Sequence, residues 1–173
     1  MSARGSSRPA PEADEPPWLD PLERRAWLTG NALLLKLPAL LEQQLQRDAD
    51  LSYFEYLVLA VLAEQKPPRL RMSRLAMLTG GSLSRLSHVA KRLELKEYIV
   101  RETDAQDRRS TNAVLTPSGQ RKVLDTAPGH VAWVREIFFD HLDSEHLQQF
   151  VAVGRRVMPQ IDPGAEIAGA PDR

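Results

Sequence analysis

Asp104-Ala105-Gln106-Asp107-Arg108-Arg109-Ser110 stands between two short β-type runs, Tyr98-Ile99-Val100-Arg101-Glu102 and Thr111-Asn112-Ala113-Val114-Leu115. No bulky apolar side chain interrupts the seven residues, so they have little reason to pack on a core. They read as the tip of a β-hairpin carrying two adjacent guanidinium groups. A Ser- and Arg-bearing helix directly precedes the hairpin, and the pair of elements decides the fold.

The helix before it starts from a turn. Ser73 is expected to cap a brief helix from Arg74 to about Leu78 or Thr79. Gly80-Gly81 reverses the chain where positive φ is needed. Ser82 then caps a helix that continues to about Lys96. Two helices joined by a Gly-containing turn, the second running into a hairpin, make a helix-turn-helix with a wing.

At 100° per residue with Leu86 at zero, Leu83, Leu86, Val89, Ala90 and Leu93 fall within about 60° of one direction and form the expected core face. Ser84, Arg85, Ser87, His88, Lys91 and Arg92 lie on the other side. That face carries hydroxyls, one imidazole and three cations, with no acid until Glu94. An Arg early in such a helix suits guanine O6 and N7, while Lys91 and Arg92 suit phosphates. On the hairpin, Asp107 and Arg109 are two apart and are expected to pair, which makes Asp107 the residue that orients the wing. Arg109 then suits a narrow minor groove and Arg108 a phosphate. The plainer alternatives are a solvated helix face and a surface ion pair of little worth. The lack of mixed charge on the helix face weighs against the first.

The charge distribution points the same way. The whole chain has 23 basic and 23 acidic residues, but Lys66–Lys122 holds 13 basic against 5 acidic, a net of +8. A basic module between acidic flanks is a footprint of phosphate binding.

The remaining elements follow from local signals. Residues 1–17 have the composition of a disordered tail. A helical period runs from Leu22 to Leu45, where Pro38 is expected to kink or break it. The apolar stripe there is broader than one small domain needs. Ser52-Tyr53-Phe54-Glu55 is a capping box, with Leu51 and Tyr56 as the staple, opening a buried helix to about Gln65. Leu70-Arg71-Met72 is a short extended piece. Thr116-Pro117 opens a further helix, which Pro128-Gly129 is expected to interrupt. Asp143 caps a last helix to about Met158, and 159–173 is expected to fray. The organisation expected is one domain over 18–158, with a lobe at about 51–116 and outer helices at about 20–47 and 117–158. The fold class is mainly α with a small β wing.

Several function classes find no support. The absence of Cys excludes disulfides and thiol-based sensing. The four His form no metal-ligand cluster, so neither metal nor cofactor is expected. No nucleophile–base set or phosphate loop occurs, and Ser82 and Ser84 after Gly80-Gly81 are better explained by helix capping than by an enzyme's nucleophile. No run of about 18 apolar residues occurs, so no membrane span is expected. The N-terminus lacks a charged-then-apolar pattern, and a cytoplasmic location is expected.

Asp107-Arg108-Arg109-Ser110, followed by Val114-Leu115-Thr116-Pro117-Ser118-Gly119, resembles the wing-to-helix signature of the MarR (multiple antibiotic resistance regulator) family. Leu75-Ala76, Leu93-Glu94 and Ile99-Val100-Arg101 fit the same pattern. The family pattern usually has a Gly before the first wing strand, where this chain has Tyr98 and no Gly. The resemblance implies a homodimer with interlocked terminal helices, and a transcriptional regulator, most often a repressor, on a pseudo-palindromic double-stranded operator. It also implies release by a small aromatic or anionic effector. Trp27, Asn31, His130 and Trp133, with Arg135 as anion partner, fall where the family's pocket lies, although each reads more simply as interface core or a satisfied polar group. The alternative is a winged-helix module for protein–protein contact without specific DNA binding. Its helix face would tend to be apolar or acidic, and here the face is cationic.

Overall fold

The computed structural model of the protein describes residues 17–104 and 107–162. The tail expected at 1–17, except Pro17, and residues 163–173 lie outside the described residues. In chain order the elements are α1 (Pro21–Ala49), α2 (Tyr53–Ala63), β1 (Arg69–Arg71), α3 (Met72–Leu78), α4 (Leu83–Leu95), β2 (Ile99–Thr103), β3 (Thr111–Leu115), α5 (Pro117–Ile137) and α6 (Ser144–Ile161). A single 3₁₀ turn, Phe139–His141, separates α5 from α6. The result is mainly helical with a small antiparallel sheet, the winged-helix class expected. By compactness the chain divides into two units, one up to Pro38 and one from Ala39 onward.

In the first unit, the start of α1 is set by a capping box that the apolar period alone does not reveal. Asp20 Oδ1 accepts the N–H groups of Leu22 and Glu23, each at 2.8 Å, and Glu23 Oε2 accepts the Asp20 N–H at 2.9 Å. Pro21 occupies the first helical position, where its missing N–H costs nothing. Trp18, Leu19, Leu22, Trp27, Leu28, Leu34 and Leu35 are all more than half exposed.

In the second unit, α2 runs through the centre of the core. Ser52 and Glu55 form the reciprocal cap expected of them, at 3.1 and 2.8 Å. Leu51 and Tyr56 are buried around it. Leu45, Leu51, Val58, Leu59, Leu62, Leu75, Leu86 and Leu93 are fully buried. Each such side chain contributes about 1.5–3 kcal/mol relative to exposure. The sheet order is β1-β3-β2, with Leu70 opposite Ala113 and Arg101 opposite Ala113 on the other side. Thr116 Oγ1 accepts the Gly119 N–H at 3.0 Å and opens α5 as expected.

Four local expectations are corrected. α5 continues through Pro128-Gly129, and α1 is likewise not broken at Pro38, where a kink or a break is expected. An interior proline removes one hydrogen bond and crowds the preceding turn, at about 3 kcal/mol. Packing outweighs this in α5, because His130 just beyond the proline is buried against Gln44 and Tyr56. Ser73 lies inside α3 and does not cap it; the N-cap position is Arg71, with no side-chain cap. Strand pairing of Arg69–Arg71 runs directly into that helix and leaves no room for a serine cap. Leu83 is 52% exposed and sits outside the core, because it lines the open cleft between α4 and the wing. α6 also extends past Met158 to Ile161, with Pro159 inside it.

Candidate nucleic-acid interface

The approach to α4 is built by a Schellman turn. Gly80 takes φ +63°, its N–H reaches Met77 O at 3.1 Å, and the Gly81 N–H reaches Ala76 O at 2.9 Å. Ser82 Oγ then accepts the Arg85 N–H at 3.1 Å and starts α4. Gly81 is required by packing. A Cβ there would lie 2.5 Å from Phe54 Cζ. The Phe54 ring held in that space carries the Arg85 guanidinium 4.2 Å above its centroid. Ring and cation attract through the ring quadrupole, and the stacking limits where the guanidinium can swing.

Ser84, His88 and Lys91 are exposed on α4 beside Arg85. Ser87 is half-buried, and its hydroxyl donates back to Leu83 O at 2.8 Å, leaving its lone pairs outward. Arg92 is more constrained than a solvent-facing cation. Its Nε donates to Glu55 Oε1 at 2.8 Å, and the Glu55 side chain is only 6% exposed. Burial pushes the Glu55 carboxyl up. The Ser52 N–H and the Arg92 guanidinium outweigh that and hold it below the usual carboxylate range. One carboxylate thus serves as the cap of α2 and the anchor of α4. A third tie runs from Lys96 Nζ to Asp50, at 2.7 Å to the carbonyl and 3.1 Å to the carboxylate.

On the wing, Arg108 and Arg109 form the exposed turn and make no ion pair among the described residues. The expected pairing of Asp107 with the Arg109 guanidinium is corrected. Asp107 Oδ1 accepts the Arg109 backbone N–H at 3.1 Å, and Oδ2 accepts the Ser110 hydroxyl at 2.7 Å. These bonds hold its carboxyl below the ordinary aspartate range. A two-residue spacing shares a face in a strand, but the chain turns here, so the carboxylate closes on main chain. Asp104 closes the loop from the other side. It accepts the Asp107 N–H at 3.1 Å and the buried Asn112 amide at 2.9 Å, and Arg71 stands 3.7 Å away.

Between the wing and α4 lies a cleft of about 320 Å³ lined by Arg71, Arg101, Arg109 and the hydroxyls of Ser73, Ser87 and Ser110. Arg71 and Arg101 stand beside Asp104 and Glu94, so the positive potential of the cleft rests chiefly on Arg109. Sequence reasoning passed over Phe54, Glu55, Glu94 and Arg101. Glu94 carried a signal, as the first acid on an otherwise cationic helix. Phe54 and Glu55 carried none, because they act across 31 and 37 residues of chain.

Of the residues named for an effector pocket, His130 Nδ1 lies 2.8 Å from Gln44 Oε1, and its ring meets Tyr56 edge-on at 4.6 Å. The buried Trp133 Nε1 has no hydrogen-bond partner among the described residues. Arg135 pairs with Asp140 at 2.9 Å. Trp27 and Asn31 belong to the first unit, where Trp27 is 63% exposed. No described helix is long and apolar enough to cross a membrane.

A MarR family model matches residues 49–110, the span from the end of α1 to the wing turn. No curated protein matches the chain. Among solved structures, Sco3205 from Streptomyces coelicolor, a MarR family transcriptional regulator in complex with DNA, is 37% identical. The match covers 85% of this chain and 96% of that one, with a TM-score of 0.81. AbsC, a MarR family transcriptional regulator of the same organism, is 36% identical over 84% of this chain and 98% of its own, with a TM-score of 0.80. S. aureus MepR, solved as a DNA complex, shares the fold at 21% identity and a TM-score of 0.68, over 80% of this chain and 98% of that one. With more than a third of the aligned residues identical to two family members along nearly their whole length, this chain belongs to the MarR family of transcriptional regulators.

Proposed function

We propose that the protein is a sequence-specific DNA-binding repressor that works as a homodimer on a pseudo-palindromic operator. One observation carries the reading. The outward face of α4 and the wing turn present cations and hydroxyls side by side, and carboxylates hold the surrounding backbone. In this reading Ser84, Arg85, Ser87 and His88 meet base edges in the major groove, and Lys91 and the outer nitrogens of Arg92 meet phosphates. Arg109 enters the minor groove and Arg108 takes a phosphate, with Asp107 shaping the turn that presents them. The DNA complex of Sco3205 supports the assignment by similarity. The apolar residues exposed on α1, and Phe150, Val151, Val153, Val157 and Ile161 on α6, support a second copy of the chain as their cover. We extend the reading to release by a small aromatic or anionic ligand, with the unpartnered Trp133 N–H as the donor to test.

The test is a gel shift with DNA from upstream of the protein's own and neighbouring genes, against a scrambled competitor. Arg85→Ala or Arg109→Ala should each weaken binding by about 1–3 kcal/mol if the side chain meets a base edge or groove. Unchanged retardation in both variants overturns the assignment. Sedimentation showing a monomer at micromolar concentration overturns the dimer and the operator symmetry that follows from it.

A further inference from the structure

Glu94 lies in the last turn of α4 and Arg101 in the middle of β2. Glu94 Oε1 accepts the Arg101 backbone N–H at 3.1 Å. Oε2 accepts its Nε at 2.9 Å and stands 2.6 Å from Nη2. Both oxygens of one carboxylate are therefore engaged by main chain and side chain of a single residue. β2 is an edge strand, bonded only to β3. The N–H that Glu94 takes up points off the free edge, where a strand otherwise bonds to water. Each side chain keeps about 30% exposure, so the clamp lies at the rim of the core. The guanidinium beside it holds the Glu94 carboxyl below the usual range.

The position of the clamp matters more than its strength. Lys96, Glu97 and Tyr98 join α4 to β2, and the Arg109 turn lies at the far end of the hairpin. At about 3.3 Å per residue, the strand from Arg101 outward is a lever of roughly 10–15 Å. A tilt of about 10° at its base moves the tip by about 2–3 Å, enough to break a hydrogen bond that tolerates only a few tenths of an ångström. The connector and the ladder to β3 hold the strand in the sheet. Glu94 adds a tie from the free edge of β2 directly to α4, and so couples the direction of the sheet to that of the helix.

We propose that Glu94 is a positioning residue that fixes the angle between the wing and α4, so that Arg109 and the face of α4 engage one DNA site together. It acts through Arg101 and touches no DNA. The inference rests on the DNA-binding reading above.

A double-mutant cycle in the full chain tests it, with the upstream fragment that the unaltered protein retards as probe. Glu94→Ala should weaken binding about tenfold in the otherwise unaltered chain and by less than about twofold when Arg109→Ala is already present, as for coupled groups. Glu94→Gln keeps one acceptor oxygen for the Arg101 N–H and should fall between. Equal losses in both backgrounds would mean that Glu94 serves general stability, and the proposal fails. Full affinity in Glu94→Ala also overturns it. If Glu94→Ala does not fold, Glu94→Gln carries the same cycle. Failure of the underlying reading looks different, because Arg109→Ala alone would then leave retardation unchanged.

Discussion

Glu97 takes φ +59° at the end of α4, beside Tyr98, in the stretch before the first wing strand where this chain has no glycine. Its N–H reaches Glu94 O and the Tyr98 N–H reaches Leu93 O, both at 2.9 Å, which completes a second Schellman turn. The turn forms without glycine because those two bonds and the buried Ile99 just beyond it over-determine the conformation. An L-residue in this region costs about 1–2 kcal/mol. Glu97→Gly relieves that cost but regains freedom in the unfolded chain, which takes back about 0.4–1 kcal/mol. The expected outcome is a thermal midpoint higher by roughly 1–2 °C; a lower midpoint would show that the Glu97 side chain makes a compensating contact. At the same scale, Gly119 cannot change. A Cβ there would fall onto the Tyr98 carbonyl oxygen, where the start of α5 crosses the foot of the wing.

The element most dependent on distant residues is α4. Its start, its end and its apolar stripe were legible in the sequence, because Ser82, the 3.6-residue period and the β-type run after it are local signals. Its bracing was not. Phe54 under Arg85 and Glu55 on Arg92 arise from the packing of α2 beside α4, and no periodicity reports which partner a cation meets. The expected stop at Pro128 failed for the same reason in reverse. Pro128 is a local stop signal that the burial of His130 overrides. The Asp107–Arg109 pairing failed because strand geometry was assumed at a turn. A prediction belongs here. Gly81→Ala should displace the Phe54 ring and release Arg85 from it, lowering DNA affinity severalfold and stability by about 1–3 kcal/mol, as overpacking does. Full affinity in a destabilised Gly81→Ala protein would show that the stacking does not serve binding.

At the scale of the whole molecule, His130 ties α5 to α1 and α2 through Gln44 and Tyr56. Burial holds its pKa below that of a free imidazole. Below about pH 6.5 the unfolded chain therefore binds a proton that the folded chain does not. The stability this site contributes is complete above that pH and is lost as pH falls toward the folded value. Urea midpoints between pH 7.5 and 5.5 should fall more steeply for the unaltered chain than for His130→Gln; parallel curves would place the titration elsewhere. The ties that brace the lobe have a separate consequence, in the thermodynamics of ions. Arg71, Arg92, Lys96 and Arg101 already face Asp104, Glu55, Asp50 and Glu94. A cation that neutralises a DNA phosphate displaces a condensed counter-ion, and each such event steepens the fall of log K with log salt by about 0.9. A cation that brings its own carboxylate displaces less. The net +8 of the module thus overstates the ions released, and titrating affinity against salt should give a slope set by the unpaired cations Arg85, Lys91, Arg108 and Arg109, with a reduced share from Arg92 beside Glu55. A slope approaching all thirteen basic residues would mean that the internal carboxylates let go on binding. With the smaller slope, the protein would stay on DNA through swings of ionic strength that strip a bare basic patch from it.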